Sequence, residues 1–363
     1  MIFWILGPLA IHFAVLWWLN QGVQNIVNFT QKTGSESEAE FTIVIPFRNE
    51  EENIPKLFES LRNQNHEKNS VHIIFINDDS TDSSVSQLKE LIKGDFPFRT
   101  KLLNLENTEG QGKKKALFKA IQSATTQFII QIDCDIVIKH QWLESVIQNV
   151  NKETDLLVLP VNINGRKQWF QEFEFSALQF VTFGMAGNKT PILCNGANLV
   201  YRKSAWLNAF SAIKKGDSGD DIFLLQEFLK KKLTIKYALS KNLVAKTPSV
   251  KSLNKYFDQR LRWAGKNKNV SIPKYGAVRF YLGIMQLIPF FVCGISWKIG
   301  APILLFKILT DYYFVRKYRK LNKEETSIVL FLVSGLIMPF YLIALLILPL
   351  FTAPTWKGRK VNV

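Results

Sequence analysis

Residues 127–135 read QFIIQIDCD, a run of apolar and β-branched side chains that stops on two aspartates, Asp133 and Asp135. Side chains alternate across a strand, so carboxylates at i and i+2 leave its end on one face. An apolar strand that delivers two carboxylates to its tip needs a positive partner there, and oxygen donors suit Mg²⁺ or Mn²⁺ rather than a soft metal. Cys134, between them, points the opposite way and packs in the core.

Outward from this stretch, short β-branched runs alternate with helical patterns, the signature of βαβ units around a mainly parallel sheet, an α/β fold. Phe41 to Phe47 (FTIVIPF) is a first strand, Val71 to Ile76 a second and Lys101 to Leu105 a third. Helices are expected over 53–63, 86–92, 113–124 and from 139 to 150, since Ile54, Leu57, Phe58 and Leu61 show the i, i+3, i+4, i+7 pattern. Further on come a strand at 156–161, a helix from Trp169, a strand at 198–201 and a helix at 221–230. Acids gather where strands stop, as Asp78, Asp79 and Asp82 after one and Asp133 and Asp135 after another, with Asp217, Asp220 and Asp221 before a helix. In open α/β sheets ligands bind at that edge.

The 363 residues are 47% hydrophobic, but the apolar residues are unevenly spread. Ile2 to Leu19, Phe280 to Trp297 and Ile328 to Pro354 contain no Asp, Glu, Lys or Arg. The first, eighteen residues long, spans about 27 Å as a helix, close to the hydrocarbon thickness of a bilayer. It lacks a basic leader and a small-residue cleavage site and reads as a retained anchor. Ile299 to Val315 is a third span if Lys307 and Asp311, four residues apart, pair with each other. Ile328 to Pro354 is either one span or a re-entrant pair broken at Pro339 and Pro349. Residues 251–279 carry eight basic side chains against one acidic, and Arg316, Lys317, Arg319, Lys320 and Lys323 follow the third span. By the positive-inside rule both stretches, and the globular part with them, face the cytoplasm. The expected division is an anchor at 1–20, a linker at 21–40, a globular domain at 41–250, a basic interfacial region at 251–279, a membrane region at 280–356 and a basic tail at 357–363.

Several chemistries are disfavoured. The first strand is followed by Pro46, Phe47, Arg48, Asn49 and Glu50, not the glycine-rich turn of a dinucleotide site. Gly110, Gln111, Gly112 and Lys113 lack the earlier glycine and the Ser or Thr of a phosphate-binding loop. Three scattered cysteines make neither a disulfide framework nor a Cys-type zinc site. A net charge of +16 favours anionic partners, but the basic excess lies beside the apolar spans and no nucleic-acid motif accompanies it.

The ordered set IVIPFRNEEENI, FINDDSTDSS, EGQGKKKAL, IIQIDCDI, CNGANLVYRKSAW, SGDDIFL and QRLRW resembles the membrane-bound family 2 glycosyltransferases over residues 41–263. The resemblance implies a GT-A-type fold, with one N-terminal and about three C-terminal membrane helices in this chain, and a nucleotide-sugar donor, here UDP-linked. It implies that Pro46, Arg48, Glu50 and Asp78 hold the nucleotide, with Asp79 and Asp82 as turn-forming alternatives, and that Lys113 lies near the diphosphate. Asp79 stands where the family often has glycine. Asp133 is implied to contact ribose or diphosphate and Asp135 to ligate the metal with it. Asp220 and Asp221 match the family's acidic pair, with Asp221 as general base, although a helix cap fits them too. Gln259, Arg262 and Trp263 match Q-x-x-R-W and share one helix face, where an amide and a guanidinium reach a diphosphate and an indole flanks a sugar. A basic amphipathic helix resting on lipid head groups fits the same residues.

These features imply an integral-membrane, inverting glycosyltransferase of a bacterial inner membrane. Its acceptor would be lipid-linked or a glycan in the cell envelope. A processive polysaccharide synthase is permitted by Q-x-x-R-W but disfavoured by only about four spans. A silent nucleotide-sugar-binding scaffold would have no use for Asp135 and Asp221.

Overall fold

Three strands fix the centre of the molecule: β1 (Phe41–Phe47), β2 (Val71–Asn77) and β4 (Phe128–Ile132) run parallel, with β1 in the middle. The computed structural model describes residues 2–32, 39–65, 70–105, 112–165, 168–213, 219–265, 270–272, 274–352, 355–356 and 359–360. Around these strands the chain places α1 (Ile2–Lys32), α2 (Ile54–Arg62), α3 (Ser84–Lys93), β3 (Arg99–Asn104), α4 (Lys113–Ser123) and α5 (Trp142–Gln148). Then follow β5 (Leu156–Val158), β6 (Val161–Asn164), α6 (Trp169–Gly187), β7 (Asn198–Arg202), α7 (Lys203–Ile213), α8 (Asp220–Lys230), β8 (Ile235–Tyr237) and β9 (Ala245–Pro248). Helices α9 (Leu253–Gly265), α10 (Tyr275–Ile295), α11 (Trp297–Leu321) and α12 (Ile328–Ile347) end in a short hairpin of β10 (Thr355–Trp356) and β11 (Arg359–Lys360).

The main sheet has the order β3-β2-β1-β4-β7-β5-β8, and β7 runs antiparallel to both its neighbours. Alternation splits its side chains between two cores. Ile43, Ile45, Ile73, Phe75, Ile130 and Ile132 pack with α2 and α5, while Val44, Ile74, Ile76 and Ile129 pack with α4, α6 and α8. Pro46 is tolerated inside β1 because the ladder to β4 ends at Val44, so its missing N–H leaves no gap on that edge. The single strand expected at 156–161 is two: Pro160 cannot donate to the ladder, and the chain leaves β5 to pair as β6 with β9 in a second sheet. Cys134 is buried, as the alternation predicts.

The first helix does not end at residue 20. It runs to Lys32, so most of the expected linker is helical, because Leu19, Val23 and Ile26 are buried against the globular core. At Gly22 and Gly187 the backbones of α1 and α6 meet so closely that a Cβ on either would collide with backbone atoms of the other helix. Thr30 completes the dock by accepting a 3.0 Å hydrogen bond from the Leu239 N–H. Lys307 and Asp311 do pair, at 2.7 Å, and His12 joins them at 2.8 Å from the same carboxylate.

Among the described residues, two helices, α10 and α12, are long and apolar enough to cross a membrane. Nearly all the exposed large apolar side chains belong to α1 and α10–α12, among them Trp17, Phe280, Phe291, Trp297 and Phe340. Residues 328–347 form one helix that leans on the globular part, where Tyr341 donates to Glu174 of α6 at 2.8 Å. Beyond it Thr355 donates to Asp258 of α9 at 2.9 Å. Arg319 is no part of a solvated basic cluster: it is buried, bonded to Ser176 of α6 at 2.9 Å and to the Glu325 carbonyl at 2.7 Å.

The turn after β2 carries a backbone constraint, since Asp79 has φ of 59°, a left-handed conformation that favours glycine. Replacing Asp79 by valine should cost ~1–2 kcal/mol, whereas Asp79→Gly should leave the thermal midpoint unchanged or raised. Equal midpoints for the two variants would show that the turn is unstrained. Gly22→Val should separate α1 from α6 and destabilise the purified protein by ~1–3 kcal/mol or more, as overpacking does; a midpoint like that of the unaltered chain would refute this close approach.

Candidate functional site

The site lies along the edge where β1, β2 and β4 end. Asp133 follows β4 directly, α4 begins at Lys113, and α8 begins at Asp220. Gly112 and Gly219, at φ of 118° and 87°, precede those two helices in conformations that suit glycine, so both helix starts face the strand ends.

Lys113 Nζ bridges two acids, 2.7 Å from Asp133 Oδ1 and 3.4 Å from Asp220 Oδ2. Burial alone would lower the pKa of this ammonium, but Asp133, Asp220 and Asp221 outweigh it and hold the lysine well above its ordinary value. Withdrawal from water, reinforced by Asp135 and Asp220, pushes the Asp133 carboxyl up to about 6 in spite of Lys113. Asp221 accepts from the Gly196 N–H at 3.3 Å and from the Ile222 N–H at 2.8 Å. Asp135 accepts from the Thr247 hydroxyl of β9 at 3.1 Å. Among the described residues no three His, Cys, Asp or Glu side chains converge as a ready-made metal cage. Two carboxylates do fit a Mg²⁺ or Mn²⁺ whose other ligands are phosphate oxygens and water, the usual arrangement for Mg²⁺.

The neighbouring turns are tied to this corner. Asp78 is buried and accepts from the Gly112 N–H at 2.8 Å, one residue before Lys113. Arg48 Nη1 donates to the Asp78 carbonyl at 2.7 Å, to the Asp79 carbonyl and to Asp79 Oδ2 at 3.2 Å, which ties the loops after β1 and β2 together. Asp82 sits in the same turn and accepts from Ser84 N at 3.0 Å and Glu51 N at 3.2 Å. Glu50 Oε2 accepts from Asn53 at 2.7 Å at the start of α2. Pro46 is buried in its strand.

Arg262, on α9, is half-buried; burial lowers its pKa, opposed by the charges of Asp133, Asp258 and Asp220. Gln259 and Trp263 face a residue that the sequence pattern leaves unmarked. Arg260 is buried, forms an ion pair with Glu174 at 2.5 Å, donates to Gln259 Oε1 at 2.5 Å and lies 4.3 Å from the Trp263 ring. Trp263 also packs on Phe175, with ring centroids 5.9 Å apart. Lys113, Asp133, Asp220 and Asp221 are thus brought together, Asp135 sits beside them on Thr247, and α9 adds Arg262. Lys114, the next residue of α4, is buried with its ammonium 5.2 Å from the Phe223 ring. Gly110, Gln111 and Asp217 lie outside the described residues. Gln131 and Thr247 escape a reading of the sequence; a glutamine inside the apolar strand 128–132 is the available sign.

Comparison with known proteins bears on the family. A family model described as glycosyl transferase family 2 matches residues 42–206, and one described as glycosyl transferase family group 2 matches residues 128–353. A prophage bactoprenol glucosyl transferase homolog of Escherichia coli (strain K12) is 38% identical over 96 residues, 26% of this chain and 30% of that protein. The minor teichoic acid biosynthesis protein GgaA of Bacillus subtilis (strain 168) is 30% identical over 131 residues, 35% of this chain and 29% of that protein. The chain spans about a third of the length of the curated relatives it matches. Among solved structures, the mannosyltransferase PcManGT of Pyrobaculum calidifontis, in complex with GDP-Man and Mn²⁺, superposes with a TM-score of 0.55 at 13% identity, covering 93% of this chain and 98% of that one. That likeness shows a shared fold over nearly the whole chain, and with a family model covering more than half of its residues, the chain belongs to the family 2 glycosyltransferases.

Proposed function

We propose that the protein is an integral-membrane, inverting glycosyltransferase that moves a sugar from a UDP-linked donor to a lipid-linked or glycan acceptor at the cytoplasmic face of a bacterial inner membrane. The observation that carries this reading is the corner where Lys113 bridges Asp133 and Asp220 beside Asp221. Relatives named for bactoprenol glucosyl transfer and teichoic acid synthesis support the acceptor class. The crowd of exposed apolar side chains on α1 and α10–α12 supports the membrane setting.

In this reading Asp78 and Arg48 frame the nucleotide, and Asp133 and Asp135 hold a Mg²⁺ or Mn²⁺. The metal would supply positive charge to the departing diphosphate. Lys113 and Arg262 add fixed cations beside the same group, where a developing phosphate charge is stabilised best in a site already shielded from water. Asp221 accepts the proton of the acceptor hydroxyl as its oxygen bonds to the anomeric carbon and the bond from that carbon to the diphosphate oxygen breaks. One displacement inverts the configuration. Gln259 and Trp263, packed around Arg260 on the same helix as Arg262, are assigned to the sugar-binding side of the site.

Membranes containing the protein should transfer label from one of a panel of UDP- and GDP-linked sugars, and chelation of divalent ions should stop the transfer. Asp135→Ala and Asp221→Ala should each lower turnover by roughly 10²–10⁴-fold while the protein still inserts; turnover like that of the unaltered enzyme in either variant would remove that residue from the reaction. For the orientation, a cysteine placed at residue 36 should resist a membrane-impermeant thiol reagent added to intact cells, and ready labelling there would reverse the proposed topology.

A further inference from the structure

Gln131 is polar, only 2% exposed, and sits in the central strand β4 two residues before Asp133. Alternation puts it on the α4 and α8 side of the sheet, and its amide is fully engaged there. Nε2 donates to Asp220 Oδ2 at 3.2 Å and to the Gly196 carbonyl at 2.7 Å, while Oε1 accepts from the Tyr201 hydroxyl at 2.9 Å. The N–H of the same Gly196 donates to Asp221 Oδ2. One side-chain amide therefore touches the first acid of α8 directly and reaches the second through a single residue. Gly196 is wedged into the arrangement: a Cβ there would lie 3.2 Å from Asp220 Oδ2 and 3.4 Å from both Gln131 Nε2 and Asp221 Cβ.

The direction of these bonds is fixed from behind. Tyr201 is fully buried and stacks on Trp206, with ring centroids 6.0 Å apart, and burial keeps its hydroxyl protonated. A protonated hydroxyl donates to the amide oxygen, which turns the NH₂ group toward Asp220 and Gly196. A leucine or isoleucine at 131 would serve the core as well, so the buried amide calls for a reason beyond packing.

We propose that Gln131, oriented by Tyr201, is the positioning residue for the acidic pair Asp220 and Asp221, setting the carboxylates for proton transfer rather than binding the donor. The proposal rests on the glycosyltransfer reading of this site. It predicts a defect in turnover with donor binding preserved, which a general loss of packing would not produce.

The test uses the full-length protein in detergent or membranes, with the nucleotide sugar that the unaltered enzyme turns over. Gln131→Met keeps volume and removes the amide; kcat should fall roughly 10–100-fold, the range for loss of an orienting partner, with KM for the donor and the thermal midpoint little changed. Tyr201→Phe should lower kcat less, and adding it to Gln131→Met should lower kcat no further, because both act through one amide. Unaltered kcat in Gln131→Met, or an equal fall from Tyr201→Phe in both backgrounds, overturns the proposal. Should Gln131→Met not accumulate, Tyr201→Phe decides alone, and unaltered kcat in that variant overturns it. An unaltered enzyme that turns over none of the nucleotide sugars defeats the glycosyltransfer reading and this role with it, whereas active enzyme with fully active variants defeats only the role of Gln131.

Discussion

One lysine ammonium holds the site together. Asp133, Asp135, Asp220 and Asp221 arrive at the same corner from two different elements, and like charges drawn from water repel each other strongly. Lys113 at 2.7 and 3.4 Å from two of them offsets that repulsion. It still leaves Asp133 with a carboxyl pushed up to about 6 by its withdrawal from water and by its acidic neighbours. Four carboxylates outnumber the single charge of Lys113, so the corner attracts further positive charge. A divalent ion arriving with a diphosphate would both relieve the carboxylates and bring an anion for the lysine to hold. The same balance explains why the glycine starts of α4 and α8 matter: they bring Lys113 and Asp220 to the strand ends together.

A second pattern of paired charges links the site to the apolar helices. α6 carries Glu172 and Glu174 on a helix rich in buried aromatic side chains. Glu174 takes Arg260 of α9 together with the hydroxyls of Tyr256 and Tyr341, and Glu172 lies 3.4 Å from Arg319 of α11. Removing one partner of such a pair leaves a buried charge uncompensated, so these contacts fix where α9, α11 and α12 sit more firmly than apolar packing alone. Arg260 lies two residues before Arg262, and its anchoring to Glu174 sets the direction in which Arg262 faces.

Much of this was legible in the sequence because it is local. The apolar, β-branched runs FTIVIPF and QFIIQI marked the strands, and acids at strand ends marked the expected ligand edge. The family resemblance then selected Lys113, Asp133 and Asp220, which the fold does bring together. What escaped reading depends on partners distant along the chain. The antiparallel course of β7 is decided by pairing with β4 and β5, not by its own residues. The extension of α1 to Lys32 follows from glycine contacts with α6, more than 150 positions away. Arg260 read as one more basic residue in a basic stretch, since nothing local announces Glu174. Asp79 is the opposite case: an acid where the family often has glycine, still held at φ of 59°, so the backbone requirement outlasts the change of side chain.

The placement of α10 completes the connection between chemistry and the apolar surface. Ile272 and Tyr275, at its start, pack in the same core cluster as Ile222, Leu224 and Leu225 of α8, and the Ser271 N–H donates to Gln226 of that helix at 2.7 Å. The helix that begins with Asp220 and Asp221 is thereby bolted to the root of one that is long and apolar enough to cross a membrane. In the proposed reaction, an amphiphilic acceptor held along α10 would enter beside α8, the helix that begins with those two acids. A water-soluble acceptor gains nothing from that attachment. Within the proposed function, that joint between α8 and α10 suits an acceptor that carries a lipid.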